Sequence, residues 1–151
     1  MELTIKKYFP AMTVGLYDKQ NVVDFLFEHL DEYGDSRHAI AKAVEYAVNA
    51  GSHPGGLILT VWKGDSIVGA TVINKTGMGD YIPENILVYI AVDKSCRGQG
   101  VGKMLMKSAF DETEGDIALH VEPDNPAKHL YEKLGFENKY LEMRWKRPVL
   151  G

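Results

Sequence analysis

Apolar residues along the chain fall into runs of two different periods, and these runs predict a mixture of helices and strands. Residues 3–8 have the composition of a short first strand. From Asn21 the apolar positions follow helical spacing until residues 33–34. A second helical stripe follows residues 35–36, an Asp-Ser pair able to cap a helix, and stops near Gly51. The first third of the chain therefore predicts one strand and two helices.

The middle of the chain changes to a strand-like pattern before it returns to a helix. Residues 57–62 and 67–74 are rich in β-branched and aromatic residues, and residues 63–66 between them predict a hairpin turn. Residues 86–92 are almost all apolar, which is typical of a strand covered on both faces. A glycine-rich turn then opens a helix predicted over residues 101–112.

The last third of the chain predicts three further elements. Residues 117–121 read as a short strand, and residues 125–134 read as a helix ended by Gly135. Residues 136–145 predict one or two closing strands. The order β-α-α-β-β-β-α-β-α-β predicts an α+β (mixed α/β) fold, a mixed sheet with helices on both faces.

Composition narrows the class of protein. A chain of 151 residues has the size of one domain, so we expect a single domain over residues 1–151. The net charge of −4 argues against a general nucleic-acid binder. No apolar run approaches the ~18 residues of a membrane span, and the N-terminus is too polar for a secretory signal. With Cys96 as the only cysteine, these features predict a soluble, cytoplasmic protein without a membrane partner.

Residues 92–103 form a glycine-rich turn between a predicted strand and a predicted helix, an arrangement that suits a phosphate group. A P-loop is excluded, because it would need glycine at position 97 and Ser or Thr at position 104, where this chain has Arg97 and Met104. A dinucleotide fingerprint is also excluded, because it would need glycine at position 103 or 105, where this chain has Lys103 and Leu105. The stretch from Lys94 to Lys107 carries four basic residues and no acidic one, which favours a polyanionic ligand. The alternatives are a glycine turn without a ligand and a solvated helix face.

A second motif follows at residues 125–136, which read Asn-Pro-Ala-Lys-His-Leu-Tyr-Glu-Lys-Leu-Gly-Phe. Asn125 can cap the helix that Pro126 begins, and Tyr131 falls on the apolar side of that helix. Taken alone, Asn125 fits a plain helix cap and Tyr131 fits an amphipathic core residue. The five histidines show no metal-ligand spacing, so no metal is predicted.

The two motifs together resemble the GNAT superfamily of acyl-CoA-dependent N-acetyltransferases. Arg-x-x-Gly-x-Gly follows an apolar strand, and residues 125–136 follow it with the pattern Asn-x-Ala-x-x-x-Tyr-x-x-x-Gly-Phe, which is similar to the family's second motif. The resemblance extends over residues 86–137 in motif detail and over most of the chain in element order. It implies a mixed, mostly antiparallel sheet of six to seven strands, and acetyl-CoA as the cosubstrate.

The resemblance also implies roles for individual residues. The loop backbone would hold the CoA pyrophosphate, a role that falls on Arg97, Gly98, Gln99, Gly100, Val101 and Gly102, with Lys103 as a neighbour. The preceding strand, splayed by a bulge, would pair with the pantetheine arm through Ile90, Ala91 and Val92. Asn125 would contact the pantetheine or adenosine portion, and Tyr131 would lie beside the thioester sulfur.

The chemistry implied is direct attack of a primary amine on the thioester in a ternary complex. Backbone N–H groups at the bulge, Val92 or a neighbour, would stabilise the oxyanion, and Tyr131 would protonate the departing thiolate. Glu84 is the first candidate for the general base, and His120 is the second. Tyr89 or a chain of waters would also serve as the base. Alternatively, Glu84 is an exposed carboxylate of a loop without a catalytic role.

The acceptor and the assembly stay open at this point. Carboxylates near the first two helices and before the central strand suit a cationic amine on a small molecule or a peptide. They equally fit a solvated helix end. The apolar tail around residues 140–145 fits an exposed strand of a homodimer or a part of the core. Alternatives to an active enzyme are a non-catalytic acyl-CoA-binding sensor or partner module and a generic interaction domain.

Overall fold

A computed structural model describes residues 2–150, and the chain separates into two compact units, Met1–Leu119 and His120–Gly151. The first unit contains a five-stranded sheet and three α-helices, and the second contains one short helix. None of the described helices has the length and apolar character that crossing a membrane requires. The organisation of residues 1–151 as a single domain stays a prediction.

The sheet of the first unit is mixed and mostly antiparallel, as expected. Its strands are β1 (Leu3–Tyr8), β2 (Gly56–Lys63), β3 (Ser66–Lys75), β4 (Asn85–Val92) and β5 (Ile117–Leu119). They lie side by side in chain order. The first three pairings are antiparallel, and β5 runs parallel to β4. The predicted hairpin between β2 and β3 is confirmed.

Four α-helices complete the described fold: α1 (Leu16–His29), α2 (Arg37–Val48), α3 (Val101–Glu112) and α4 (Lys128–Lys133). The predicted cap of α2 is confirmed, because the Ser36 hydroxyl accepts a hydrogen bond from Ala39 N–H. α1 begins at Leu16, before the expected Asn21. The apolar pattern does not reveal this first turn, because Leu16 and Tyr17 are exposed and add nothing to the buried stripe. α4 is shorter than the predicted helix.

Helices cover both faces of the sheet, as predicted. Ile58, Val72 and Tyr89 lie side by side on one face and share a core cluster with the buried residues of α1 and α2. Gly69 belongs to the opposite face, where Val101 and Leu105 of α3 pack directly over it. The absence of a side chain at Gly69 lets α3 approach the sheet closely.

β4 is less covered than its sequence suggests. Its residues alternate between buried and half-buried. Tyr89 and Ala91 belong to the core cluster with α1 and α2, whereas Leu87, which pairs with Ile73, is buried outside that cluster. Every second residue of the strand from Ile86 to Val92 is therefore only half-buried, although the sequence predicts cover on both faces. The reason is the position of β4, because only the three residues of β5 continue the sheet beyond it.

The closing strands predicted over residues 136–145 are not formed, so the described sheet has five strands rather than six to seven. Residues 136–150 contain no helix or strand. Four of their apolar side chains in the predicted strand region are exposed: Tyr140, Leu141, Met143 and Trp145. Alternation of apolar and polar residues creates a strand-like face, but a strand also needs a hydrogen-bonded partner along its length.

Replacing Gly56 by alanine should destabilise the protein by about 3 kcal/mol, because a side chain at this glycine would collide with the backbone of β3. A Cβ atom there would lie 1.9 Å from the Ile73 carbonyl oxygen, and backbone atoms cannot move aside as a side chain can. Thermal unfolding should show a melting temperature lower by about 10 °C. Gly51→Ala is the matched control, since nothing lies within 4 Å of its Cβ position. Equal melting temperatures for the two variants would contradict the prediction.

Candidate functional site

A bulge interrupts the pairing of β4 with β3 in the middle of the strand. Tyr89 pairs with Val72 and Leu87 pairs with Ile73, so Val88 is the extra residue of β4. On its other side β4 pairs with β5 only as far as Leu87. Within the first unit, the half of β4 beyond the bulge therefore has an edge without a neighbouring strand.

The open edge of β4 presents backbone groups of alternate residues. Asp93 N–H donates to the Val68 carbonyl across the β3 side, which sets the side to which each residue's backbone groups point. Ala91 consequently bonds towards β3, while the N–H groups of Ile90 and Val92 point to the open edge. Two of the three predicted backbone positions are thus oriented to pair with an extended ligand chain, and Ala91 is not.

The glycine-rich loop ends in a left-handed residue that starts α3. Gly98 has a φ of 81° and Gly100, the residue that precedes α3, has a φ of 83°. Nothing lies within 4 Å of a Cβ atom placed on either glycine. No side chain caps the first N–H groups of α3. The backbone is therefore both shaped by glycine and open to a ligand at a positively polarised helix end.

The cations of this loop have an internal counter-ion that the sequence analysis did not identify. Lys94 Nζ lies 2.7 Å from Asp31 Oδ1, and Arg97 Nη2 lies 3.9 Å from Asp31 Oδ2. The hydrogen bond from Lys94 holds the pKa of the Asp31 carboxyl below its usual value. Asp31 reaches them from a turn with a positive φ of 54°. An anionic ligand would replace Asp31 at these two exposed cations.

A second acidic group fixes the start of the same loop. Asp93 Oδ1 accepts hydrogen bonds from both the backbone N–H and the hydroxyl of Ser95, which lower the pKa of its carboxyl. His29 Nε2 lies 3.7 Å from Asp93 Oδ2. Among the described residues, no group of three or more His, Cys, Asp or Glu side chains is placed to hold a metal ion.

Asn125 and Tyr131 lie in the second unit. The Asn125 side chain accepts a hydrogen bond from Ala127 N–H and so shapes the turn before α4, in partial agreement with the predicted cap. Tyr131 is buried on α4, and its ring meets the edge of Phe136 at a centroid distance of 5.9 Å. Burial raises the pKa of Tyr131 from the usual value for tyrosine to about 12.

Glu84 directly precedes β4 and lies before the bulge. Its carboxylate accepts a hydrogen bond from Asp116 N–H, and Gly115 packs against it with a φ of 80°. The neighbouring Asn85 is buried and donates to the carbonyl groups of Glu114 and Asp116. These contacts connect the start of β4 to the turn before β5, a structural role that the sequence did not indicate.

Tyr89 and Asp35 are joined by a hydrogen bond that the sequence analysis did not predict. The Tyr89 hydroxyl donates to Asp35 Oδ2 at 2.6 Å. Burial and the nearby Asp35 charge raise the pKa of Tyr89. Tyr89 is therefore a neutral donor, which disfavours it as a general base.

The fold and the site together define a class of α+β protein in which a bulged, open-edged strand leads through a glycine loop into an uncapped helix N-terminus. The family model described as an acetyltransferase (GNAT) domain matches residues 54–138, a range that includes both features. Because this range is more than half of the chain, the protein belongs to the GNAT acetyltransferase family.

Two curated relatives and one solved structure illustrate the similarity. The mycothiol acetyltransferase of Rhodococcus erythropolis is 35% identical over 73 residues, which are 44% of this chain and 24% of that protein. The enzyme of the same name from Geodermatophilus obscurus is 29% identical over 101 residues, 62% of this chain and 32% of that protein. The chain thus spans about a quarter to a third of the length of the curated relatives it matches.

An aminoglycoside N-acetyltransferase solved in complex with CoA has the same fold, with a TM-score of 0.70 at 16% identity. That match covers 98% of this chain and 96% of the solved one. The similarity of the folds holds over nearly the whole of both chains.

Proposed function

We propose that this protein is an acetyl-CoA-dependent N-acetyltransferase that transfers an acetyl group to a primary amine of a small molecule or peptide. The observation that carries the proposal is the sequence of three features in one segment. These are the bulge at Val88, the open edge of β4, and the glycine loop that begins α3. Family membership supports acetyl transfer as the reaction.

The loop is the proposed pyrophosphate site of acetyl-CoA. Its backbone N–H groups, from Gly98 to Lys103, suit phosphate oxygens because the glycines leave the approach open. Arg97 adds an exposed guanidinium, whose present partner Asp31 is 3.9 Å away. Such a weakly held cation costs little to transfer to a ligand phosphate. The donor set therefore fits a polyanion.

The edge of β4 is the proposed site of the pantetheine arm and of the reacting carbonyl. Ile90 and Val92 direct N–H groups to the edge, and Ala91 keeps the strand in register with β3. A donor fixed in a strand needs no reorganisation as negative charge develops on the thioester oxygen. We propose the N–H of Val92, or that of Ile90 two residues before it, as the oxyanion donor.

Tyr131 is the proposed general acid for the departing thiolate, and Asn125 the proposed contact of the pantetheine or adenosine portion. A phenol with a pKa of about 12 is protonated at every working pH, which an acid requires. It is a weaker acid than free tyrosine, so it stabilises the thiolate by donating a hydrogen bond before the proton moves.

Glu84 is the proposed general base, with His120 as the second candidate and a water chain as the third. The carboxylate lies four residues before the bulged Val88, so a proton from the amine would reach it through water. If this role is correct, Glu84→Gln should lower kcat at pH 7 by about 100-fold and remove the acidic limb of the pH–rate profile. Glutamine still accepts the Asp116 hydrogen bond, so the fold is kept. An unchanged profile would exclude Glu84 and direct the same test to His120.

The experiment that tests the function is release of free CoA thiol from acetyl-CoA in the presence of a panel of amines. The panel contains a polyamine, an aminoglycoside, lysine and a peptide with a free N-terminus. Thermal unfolding with acetyl-CoA alone serves as the binding control. Amine-dependent release establishes the enzyme, whereas stabilisation by acetyl-CoA without any release favours a non-catalytic acyl-CoA-binding module.

We also propose a cytoplasmic location, supported by Cys96 as the only cysteine of the chain. The exposed apolar side chains of the tail, such as Leu141 and Met143, are compatible with a homodimer. Sedimentation of the purified protein measures that assembly directly.

A further inference from the structure

Tyr89 holds an exposed carboxylate in place on the face of β4 that α1 and α2 cover. Its hydroxyl donates to Asp35 Oδ2 at 2.6 Å, a length typical of a hydrogen bond to a charged acceptor. Tyr89 is only 8% exposed, whereas Asp35 lies at the surface. A buried donor with few accessible rotamers thus fixes the direction of a carboxylate that solvent and ligands can reach.

Asp35 forms no ion pair with a cation of the described chain. No described lysine, arginine or histidine nitrogen lies within 4 Å of its carboxylate, and the nearby Arg37 contacts Asp24 instead. Asp35 directly precedes Ser36, the cap of α2. Its carboxylate therefore has capacity for a positively charged partner.

The position of Asp35 relates it to the proposed site of acetyl transfer. Tyr89 directly follows the bulged Val88 and directly precedes Ile90, whose N–H faces the open edge. Side chains stand roughly perpendicular to a sheet, so Asp35 lies a full tyrosine length away from the β4 backbone. A cation bound at Asp35 is consequently a different group from the nitrogen that reacts at the edge.

We propose that Asp35, positioned by Tyr89, determines acceptor specificity by binding a second positive charge of the amine substrate. The favoured acceptor then carries two cationic nitrogens, one that reacts and one that anchors, separated by a chain of several carbons. This inference rests on the proposed N-acetyltransferase function and deepens it. Tyr89 acts here as a positioning residue through Asp35.

The test compares α,ω-diaminoalkanes of four to eight carbons with the n-alkylamines of the same length, with acetyl-CoA as donor. Wild-type protein should show a kcat/KM about tenfold higher for the best diamine than for its matched monoamine. Asp35→Asn should remove this preference with little change for the monoamine, because asparagine still accepts the Tyr89 hydrogen bond but has no charge. Asp65→Asn, at an exposed turn residue, controls for loss of net charge.

Tyr89→Phe separates positioning from support of the fold. It should lower the diamine preference severalfold at a temperature well below its measured melting point, and raise KM for the diamine more than it lowers kcat. Equal kcat/KM for diamines and monoamines in wild type, or an unchanged preference in Asp35→Asn, would overturn the role of Asp35 and leave the enzymatic function standing.

Absence of thiol release with every amine would instead overturn the proposed function. Calorimetric binding of 1,6-diaminohexane and hexylamine then tests Asp35 independently of turnover. Tighter binding of the diamine that is lost in Asp35→Asn supports the anchor, and equal binding of the two amines overturns it.

Discussion

Replacing Tyr131 by phenylalanine should lower kcat by about 100-fold or more and leave the Kd of acetyl-CoA within about twofold. The phenol is the proposed donor to the leaving thiolate, an interaction that exists only as the carbon–sulfur bond breaks. The ring itself is kept, including its edge contact with Phe136, so the fold of the second unit is preserved. Steady-state kinetics and equilibrium binding of acetyl-CoA measure the two quantities separately.

The pH dependence gives the same prediction a second readout. Because burial raises the pKa of Tyr131 to about 12, the proton stays on the folded protein between pH 10 and 12 while the unfolded chain loses it. The stability linked to this group is complete below pH 10 and is lost as the pH rises towards 12. Wild-type kcat should therefore show no fall from Tyr131 ionisation below pH 10.

Tyr140→Phe is the matched control for Tyr131→Phe. It removes a phenol from the same unit at a side chain that is 80% exposed, and it should leave kcat unchanged. Equal activity of wild type and Tyr131→Phe would remove Tyr131 from the mechanism. A parallel loss of acetyl-CoA affinity and kcat would assign Tyr131 to binding instead.

Gly100→Ala should weaken acetyl-CoA binding by about tenfold or more. The residue has a φ of 83°, a conformation that costs alanine about 1–2 kcal/mol. Relief of that strain would turn the N–H groups at the start of α3 away from the proposed pyrophosphate position. A methyl group would also occupy the open space in front of the loop. Isothermal titration with acetyl-CoA and with CoA measures the loss.

Gly51→Ala again provides the comparison, because it adds a methyl group in open space without a positive φ. Thermal unfolding of Gly100→Ala should show a decrease in melting temperature of roughly 2–8 °C from backbone strain alone, since no protein atom lies within 4 Å of the added group. Unchanged acetyl-CoA affinity in Gly100→Ala would exclude this loop as the pyrophosphate site.

Much of the fold could be predicted because its signals are local. The helix over residues 101–112, the cap at Ser36 and the β2–β3 hairpin each depend on residues a few positions apart. The first turn of α1 could not be predicted in this way, because its residues lie at the surface and add nothing to an apolar stripe. Residues 136–145 show the limit of such patterns, since alternation alone cannot supply a partner strand.

The amino-acid sequence alone is enough to locate the glycine loop before α3, the apolar strand that leads to it and the second motif around Tyr131. These are contiguous patterns of residue type, and the resemblance to the family follows from them. Which backbone groups face the open edge depends on the folded chain, because the extra residue Val88 is defined by the pairing of β4 with β3. The fold likewise joins Tyr89 to Asp35, 54 positions apart, and Asp31 to Lys94. Such contacts depend on how α1, α2 and the sheet pack, and packing is a property of the whole fold that no local spacing encodes.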